Sequence, residues 1–148
     1  MDTSAWAKWY FPEKGSDAFE AWFRDAVDAW TSDLASLEFR SIIARRRRMG
    51  ELPAEFAAET KTALAHDIRD GSLAIRNMES SHFVEAERIL DECPDVALRS
   101  LDALHLAMAR LGGAMELATA DRVLADAAVE IGLQVRFFGP RRKPGIRK

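Results

Sequence analysis

Cysteine is almost absent from this chain. Cys93 is the single one in 148 residues, which excludes a disulfide framework and a cysteine metal cage. Long apolar runs are also missing. No stretch approaches the roughly 20 residues of a membrane span, and no basic segment followed by an apolar one opens the chain as a signal peptide would. A Gly-rich phosphate loop, a GxSxG elbow, an HExxH helix and an EF-hand loop are all lacking, and His66, His82 and His105 share no metal-ligand spacing. There is no internal repeat and no long linker. These absences lead us to expect a cytoplasmic protein with no membrane contact. They also remove the commonest nucleotide, acyl-transfer and zinc chemistries.

What is present is soluble, globular composition: 48% apolar and 30% charged residues. A chain of this length buries roughly 68–70% of its unfolded surface and needs no staples. The net charge of −3 conceals an asymmetry, because all 24 acids lie at or before Glu130 while residues 131–148 hold six Lys/Arg and no acid. An acidic body with a basic tail suits an anionic polymer if the acids are held by cations. A second basic run, Arg45 to Arg48, ends a predicted helix, where it either complements the helix C-terminal dipole or contacts a ligand.

Periodicity and punctuation divide the chain into elements. Helices are predicted at Ser4–Phe11, stopped by Pro12, and at Ser16–Asp28, with Phe19, Trp22, Phe23, Ala26 and Val27 at helical spacing. An extended piece at Ala29–Ser32 feeds a helix over Asp33–Met49 closed by Gly50, and Pro53 opens another that runs to Asp70 and stops at Gly71. Then strands at Ser72–Asn77, Met115–Thr119 and Leu133–Phe138 alternate with helices at Ser80–Cys93, Leu98–Leu111 and Asp121–Ile131. Such alternation argues an α/β fold with a parallel sheet flanked by helices, whose ligands bind at the carboxyl ends of the strands. We divide the chain into a domain over residues 1–138 and a basic, flexible tail over 139–148 that stays out of the core. The start is unusual: Asp2 sits where a helix would follow a strand, yet Met1 alone precedes it, so that strand is either truncated or begins upstream.

The chemistry-bearing residues are carboxylates in unfavourable surroundings. Glu38 interrupts LASLEFRSII, flanked by Leu34, Leu37, Ser41 and Ile42, and Asp102 interrupts SLDALHLAMA, flanked by Leu101, Leu104 and Leu106. A buried acid costs several kcal/mol unless a cation or strong donors compensate it. Asp2 and Asp121 stand at strand-to-helix junctions. Each acid alone reads equally as an N-cap, a buried ion-pair member or a solvated group. If the four converge on one sheet edge, they make a hard-oxygen cage suited to Mg2+ or Mn2+, ions that engage phosphate oxygens. Asp126, beyond Asp121, reads as surface. His105, at i+3 from Asp102, reads as a packed, hydrogen-bonded core histidine or, alternatively, as support for the site, and Trp6, Trp9, Tyr10 and Phe11 as a core stripe or, alternatively, a dimer or partner groove.

The segments DTSAWAKWY, LEFRSIIARRRRMGEL, RSLDALHLAMA and ATADRVLADAAVEIGL resemble, in order and spacing, the successive motifs of PIN-domain proteins, and among those the VapC toxins of toxin–antitoxin pairs. The resemblance implies a three-layer α/β/α sandwich around a parallel sheet and endoribonuclease activity dependent on Mg2+ or Mn2+. It carries Asp2, Glu38, Asp102 and Asp121 over as catalytic and metal-holding acids, with Thr3, Ser4 and Thr119 as supporting hydroxyls. It further implies a tRNA or rRNA substrate, homodimerisation, and silencing by a VapB-like antitoxin whose tail covers the acidic pocket. Arg99, Arg45, Arg46 and the tail residues Arg141, Arg142 and Lys143 are the candidates to track the RNA backbone. A non-catalytic RNA- or protein-binding module of the same fold is the alternative.

Overall fold

The computed structural model describes residues 1–140. Seven helices and four strands follow in the order α1 (Thr3–Tyr10), α2 (Ser16–Asp25), β1 (Trp30–Ser32), α3 (Asp33–Arg48), α4 (Ala54–Arg69), β2 (Ala74–Arg76), α5 (Ser80–Glu92), α6 (Ser100–Leu111), β3 (Glu116–Thr119), α7 (Arg122–Glu130) and β4 (Gln134–Phe137) among the described residues. Every predicted element is present, with shifted ends. The second helix stops at Asp25 because the chain turns there: Ala26 is extended, Asp28 takes a left-handed φ of 60°, and Val27, expected on the buried face, is exposed. Helix α6 begins at Ser100 because Arg99 is extended and forms its N-cap.

All strand pairing is parallel. The strands nevertheless form two separate pairs, β1–β2 and β3–β4, in place of the one continuous sheet expected. Strand β3 shows why helices lie on both sides of it, since successive side chains of a strand point to opposite faces. Leu117 joins a core with Ile89, Leu106 and Leu124 from α5, α6 and α7, while the next residue, Ala118, joins Ala5, Phe19 and Phe138 on the α1/α2 side. A third core packs α1 on α3 and α4, with Trp6, Tyr10 and Phe11 all within ring-contact range of Phe39. The aromatic stripe of the first helix is therefore mostly core, with Trp6 and Phe11 buried and Trp9 and Tyr10 half-buried.

A cleft of about 480 Å³ separates the two strand pairs, lined by Met1, Trp30, Leu117, Ala118, His105 and Met108 among others. Two residues close its end. The Met1 amine donates to the Trp30 carbonyl at 2.8 Å, the Thr31 hydroxyl donates to the Met1 carbonyl at 2.8 Å, and the Asp2 N–H donates to the Ala118 carbonyl at 3.1 Å. Met1 and Asp2 thus bond to β1 on one side and β3 on the other, as the end of a strand between them would. The bond to Ala118 anchors Asp2 to β3. Gly15 enters α2 at φ +93°, where a Cβ would lie 2.2 Å from the Phe138 carbonyl oxygen. Residues 141–148, which hold most of the expected tail, lie outside the described residues.

Candidate active site

Three of the four acids are placed by helix N-termini, and each caps its own helix. Asp2 accepts from the Ala5 N–H at 3.0 Å, Asp121 accepts from the Val123 and Leu124 N–H groups at 2.8 and 3.2 Å, and Asp102 reaches back to the Arg99 N–H at 3.1 Å. Capping satisfies otherwise orphaned donors, and the helix dipole favours a carboxylate there. The structural and the functional readings of these acids therefore coexist in the same side chains. Glu38 differs, projecting from the middle of α3.

Hydroxyls and one guanidinium link Asp2, Asp121 and Asp102, while a hydroxyl and an imidazole hold Glu38. Thr119 Oγ1 donates to Asp2 Oδ2 at 3.0 Å and accepts from the Asp121 N–H at 3.0 Å, tying two of the acids to the end of β3. Ser4 Oγ donates to Asp2 Oδ2 at 2.7 Å and accepts from the Ala120 N–H at 2.8 Å. The Thr3 hydroxyl donates to Glu38 Oε2, and His105 Nε2 lies 2.7 Å from the same oxygen. Arg99 spans Asp102, with Nε 3.0 Å from Oδ2, and Asp121, with Nη2 3.6 Å from Oδ2. All seven residues singled out as acids or supporting hydroxyls thus belong to one region at the carboxyl end of β3 and the N-termini of α1, α6 and α7.

Burial is graded across the site. Asp2 and Asp102 are buried, whereas Glu38 and Asp121 keep partly open side chains. For Glu38, burial pushes the carboxyl up. The hydrogen bond and charge of His105, the Thr3 hydroxyl and the charge of Arg99 outweigh that, so it titrates below the usual carboxylate range. It is held ionised. His105 combines both readings offered for it: it is buried in α6, one turn from Asp102, and its ring nitrogen bonds a candidate acid. Two flanking leucines behave differently from the sequence reading, for Leu37 and Leu101 are both exposed.

The donor set is entirely oxygen: four carboxylates and three hydroxyls. That chemistry fits a hard divalent cation rather than zinc or copper. Among the described residues no three of the acids already converge as a closed ligand shell. Instead a cation of the chain's own, the Arg99 guanidinium, bridges two of them, so the region accommodates positive charge at that position. Of the other basic candidates, Arg45 is exposed at the end of α3, while Arg46 lies over the Phe11 ring at 4.5 Å and pairs with Glu13 at 3.6 Å. Arg141, Arg142 and Lys143 fall outside the described residues, and Asp126 is exposed as expected. No helix among the described residues is long and apolar enough to cross a membrane.

No curated protein matches the chain. The family model described as PIN domain matches residues 1–130, a span that holds all four acids, the three hydroxyls and His105. PIN domains are generally nucleases and typically use divalent metals, in keeping with the oxygen-only donor set found here. By that match, over most of its length, this chain belongs to the PIN-domain family.

Proposed function

We propose that the chain is a Mg2+- or Mn2+-dependent endoribonuclease, the VapC-like toxin of a toxin–antitoxin pair. The observation that carries this reading is the gathering of the four acids at neighbouring positions: Asp2, Asp121 and Asp102 are joined through Thr119 and Arg99, and Glu38 is held beside them by Thr3, the residue after Asp2, and by His105, one turn beyond Asp102. Asp2, fixed by three donors, and Asp102 and Asp121, fixed by their own helices, have little side-chain freedom left to lose when an ion draws them together. A bound divalent ion would supply charge neutralisation at the scissile phosphate and a more acidic water. Glu38, kept ionised by His105 and Thr3, restrains the attacking water. Water attacks the phosphorus as the bond to the 3′-oxygen breaks, leaving a 5′-phosphate and a 3′-hydroxyl; with the ribose 2′-OH taking no part, no cyclic phosphate forms.

In this reading the two strand pairs act as one parallel layer of a three-layer sandwich. Residues 1–138 form the nuclease domain, and residues 139–148 are a basic tail that follows the RNA backbone together with Arg45. A tRNA or rRNA loop is the substrate, a VapB-like antitoxin covers the acidic pocket, and the active form is a homodimer. A non-catalytic binding module is the second reading. It is favoured by the capping roles of Asp2, Asp102 and Asp121, which would retain acids there without any reaction. Incubating the full chain with total RNA or tRNA in Mg2+, then in EDTA, separates the two. Cleavage that EDTA abolishes and that Asp102→Asn lacks supports the nuclease; intact RNA in every arm supports the binding module.

A further inference from the structure

Arg99 places its guanidinium between Asp102 and Asp121. Its side chain is 75% exposed, so solvent offers it every alternative, yet its guanidinium turns inward. Nε lies 3.0 Å from Asp102 Oδ2, Nη2 3.5 Å from Asp102 Oδ1 and 3.6 Å from Asp121 Oδ2. Those two acids come from different elements, α6 and the start of α7, and Arg99 is the cation that joins them among the described residues. Its charge is felt by Glu38 as well. The backbone of Arg99 is fixed as the N-cap of α6, with its N–H held by Asp102, so the side chain can leave without disturbing the helix.

We infer that Arg99 is a built-in counter-ion latch: it offsets one of the two negative charges of Asp102 and Asp121 in the ion-free protein and is expelled when a divalent ion enters between them. This rests on the metal-dependent reading above. A guanidinium and a divalent ion placed between the same two carboxylates repel each other, and the two cations therefore compete for that position. In either state a cation stands beside the two carboxylates, which keeps buried Asp102 from standing without a counter-charge. Because the pair with Arg99 is solvent-exposed, its hold is weak, and an ion gains entry at small cost. Once expelled, the arm lies at the rim with all its donors free, and a planar fork suits a phosphate of an incoming RNA.

The test is a Mg2+ titration of the ¹⁵N-labelled full chain that follows arginine Nε–Hε signals, with that of Arg99 assigned by its loss in Arg99→Gln. The latch predicts that the Arg99 signal moves to the position of a free arginine as the backbone amides of Asp102 and Asp121 shift. It also predicts that Arg99→Gln binds Mn2+ more tightly at low salt, by up to about fivefold, the size of an exposed ion pair. If the amides shift while the Arg99 signal stays in place, or if Arg99→Gln binds Mn2+ no better than the parent, the latch is wrong and the metal site stands. Should neither Mg2+ nor Mn2+ produce any shift or heat, the metal-dependent reading fails and the latch falls with it.

Discussion

His105 Nε2 lies 2.7 Å from Glu38 Oε2, joining an imidazole buried in α6 to a carboxylate 67 positions earlier in α3. This bond explains how an acid in the middle of an apolar helix stays ionised, and it sets the direction in which Glu38 faces. We predict that His105→Ala raises the Glu38 carboxyl toward its ordinary range, read by carbon-13 NMR of the side chain. The same change should lower RNA cleavage by about 10- to 100-fold, the cost of losing an outer partner of a metal-holding residue. A Glu38 titration that does not move would show that Thr3 and Arg99 hold the charge alone.

Tyr10 is the sole tyrosine, so tyrosinate absorbance reads one residue. Its hydroxyl donates to Asp67 Oδ2 at 2.6 Å, and burial, reinforced by that bond and by the Asp67 charge, pushes its pKa well above the usual range. A raised acid contributes stability that is fully present below its unfolded value of about 10 and is lost as pH climbs beyond it. Alkaline titration should therefore show late tyrosinate formation accompanied by unfolding, and Asp67→Asn should bring it earlier. Ionisation at the ordinary value in the folded chain would contradict the contact.

The free amine of Met1 is buried at the mouth of the cleft, and burial pushes it down from 8.0 to about 6. The unfolded chain then binds this proton more readily, so the amine's contribution to stability grows as pH rises from about 6 to 8 and levels off above. Its size is at most about 3 kcal/mol, at roughly 1.4 kcal/mol per pKa unit. Placing a few apolar residues ahead of Met1 turns the amine into an amide N–H that can keep the bond to Trp30 and lays backbone between β1 and β3. Melting temperature should rise and its pH dependence shrink; a polar Gly/Ser extension should give the second effect without the first.

Phe39 is the hub of the α1/α3/α4 core, fully buried against Trp6, Tyr10 and Phe11. Phe39→Ala should cost about 3–5 kcal/mol in denaturant unfolding, the range for a buried aromatic cut to a methyl. A loss below about 1 kcal/mol would mean that the cavity collapses or that the rings are not packed as described.

Elements bounded by strong local chemistry were legible from the residues. Gly50 and Gly71 adopt the left-handed φ that ends α3 and α4, and Asp121 caps α7 in the way its position after an apolar strand suggests. What could not be read was the face each helix turns to the core. Leu37 and Leu101 belong to apolar runs, but each residue of a helix advances about 100°, and these two point outward while neighbouring Phe39 and Ala103 are fully buried. The division of the sheet was hidden as well, because strand pairing is a long-range property that the residues of β1 or β3 do not encode locally. The site's acids were legible one by one. Their linkage was not, since Thr119 to Asp2 and His105 to Glu38 are contacts across 117 and 67 positions.

The central claim is that the four carboxylates act together on one divalent ion. Calorimetric titration of Mn2+ into the full chain and into a Glu38→Gln, Asp121→Asn double variant tests it most directly. We predict a saturable heat for the parent chain and none for the double variant at the same concentrations, with both proteins folded by circular dichroism. Equal Mn2+ binding by the double variant would contradict the account.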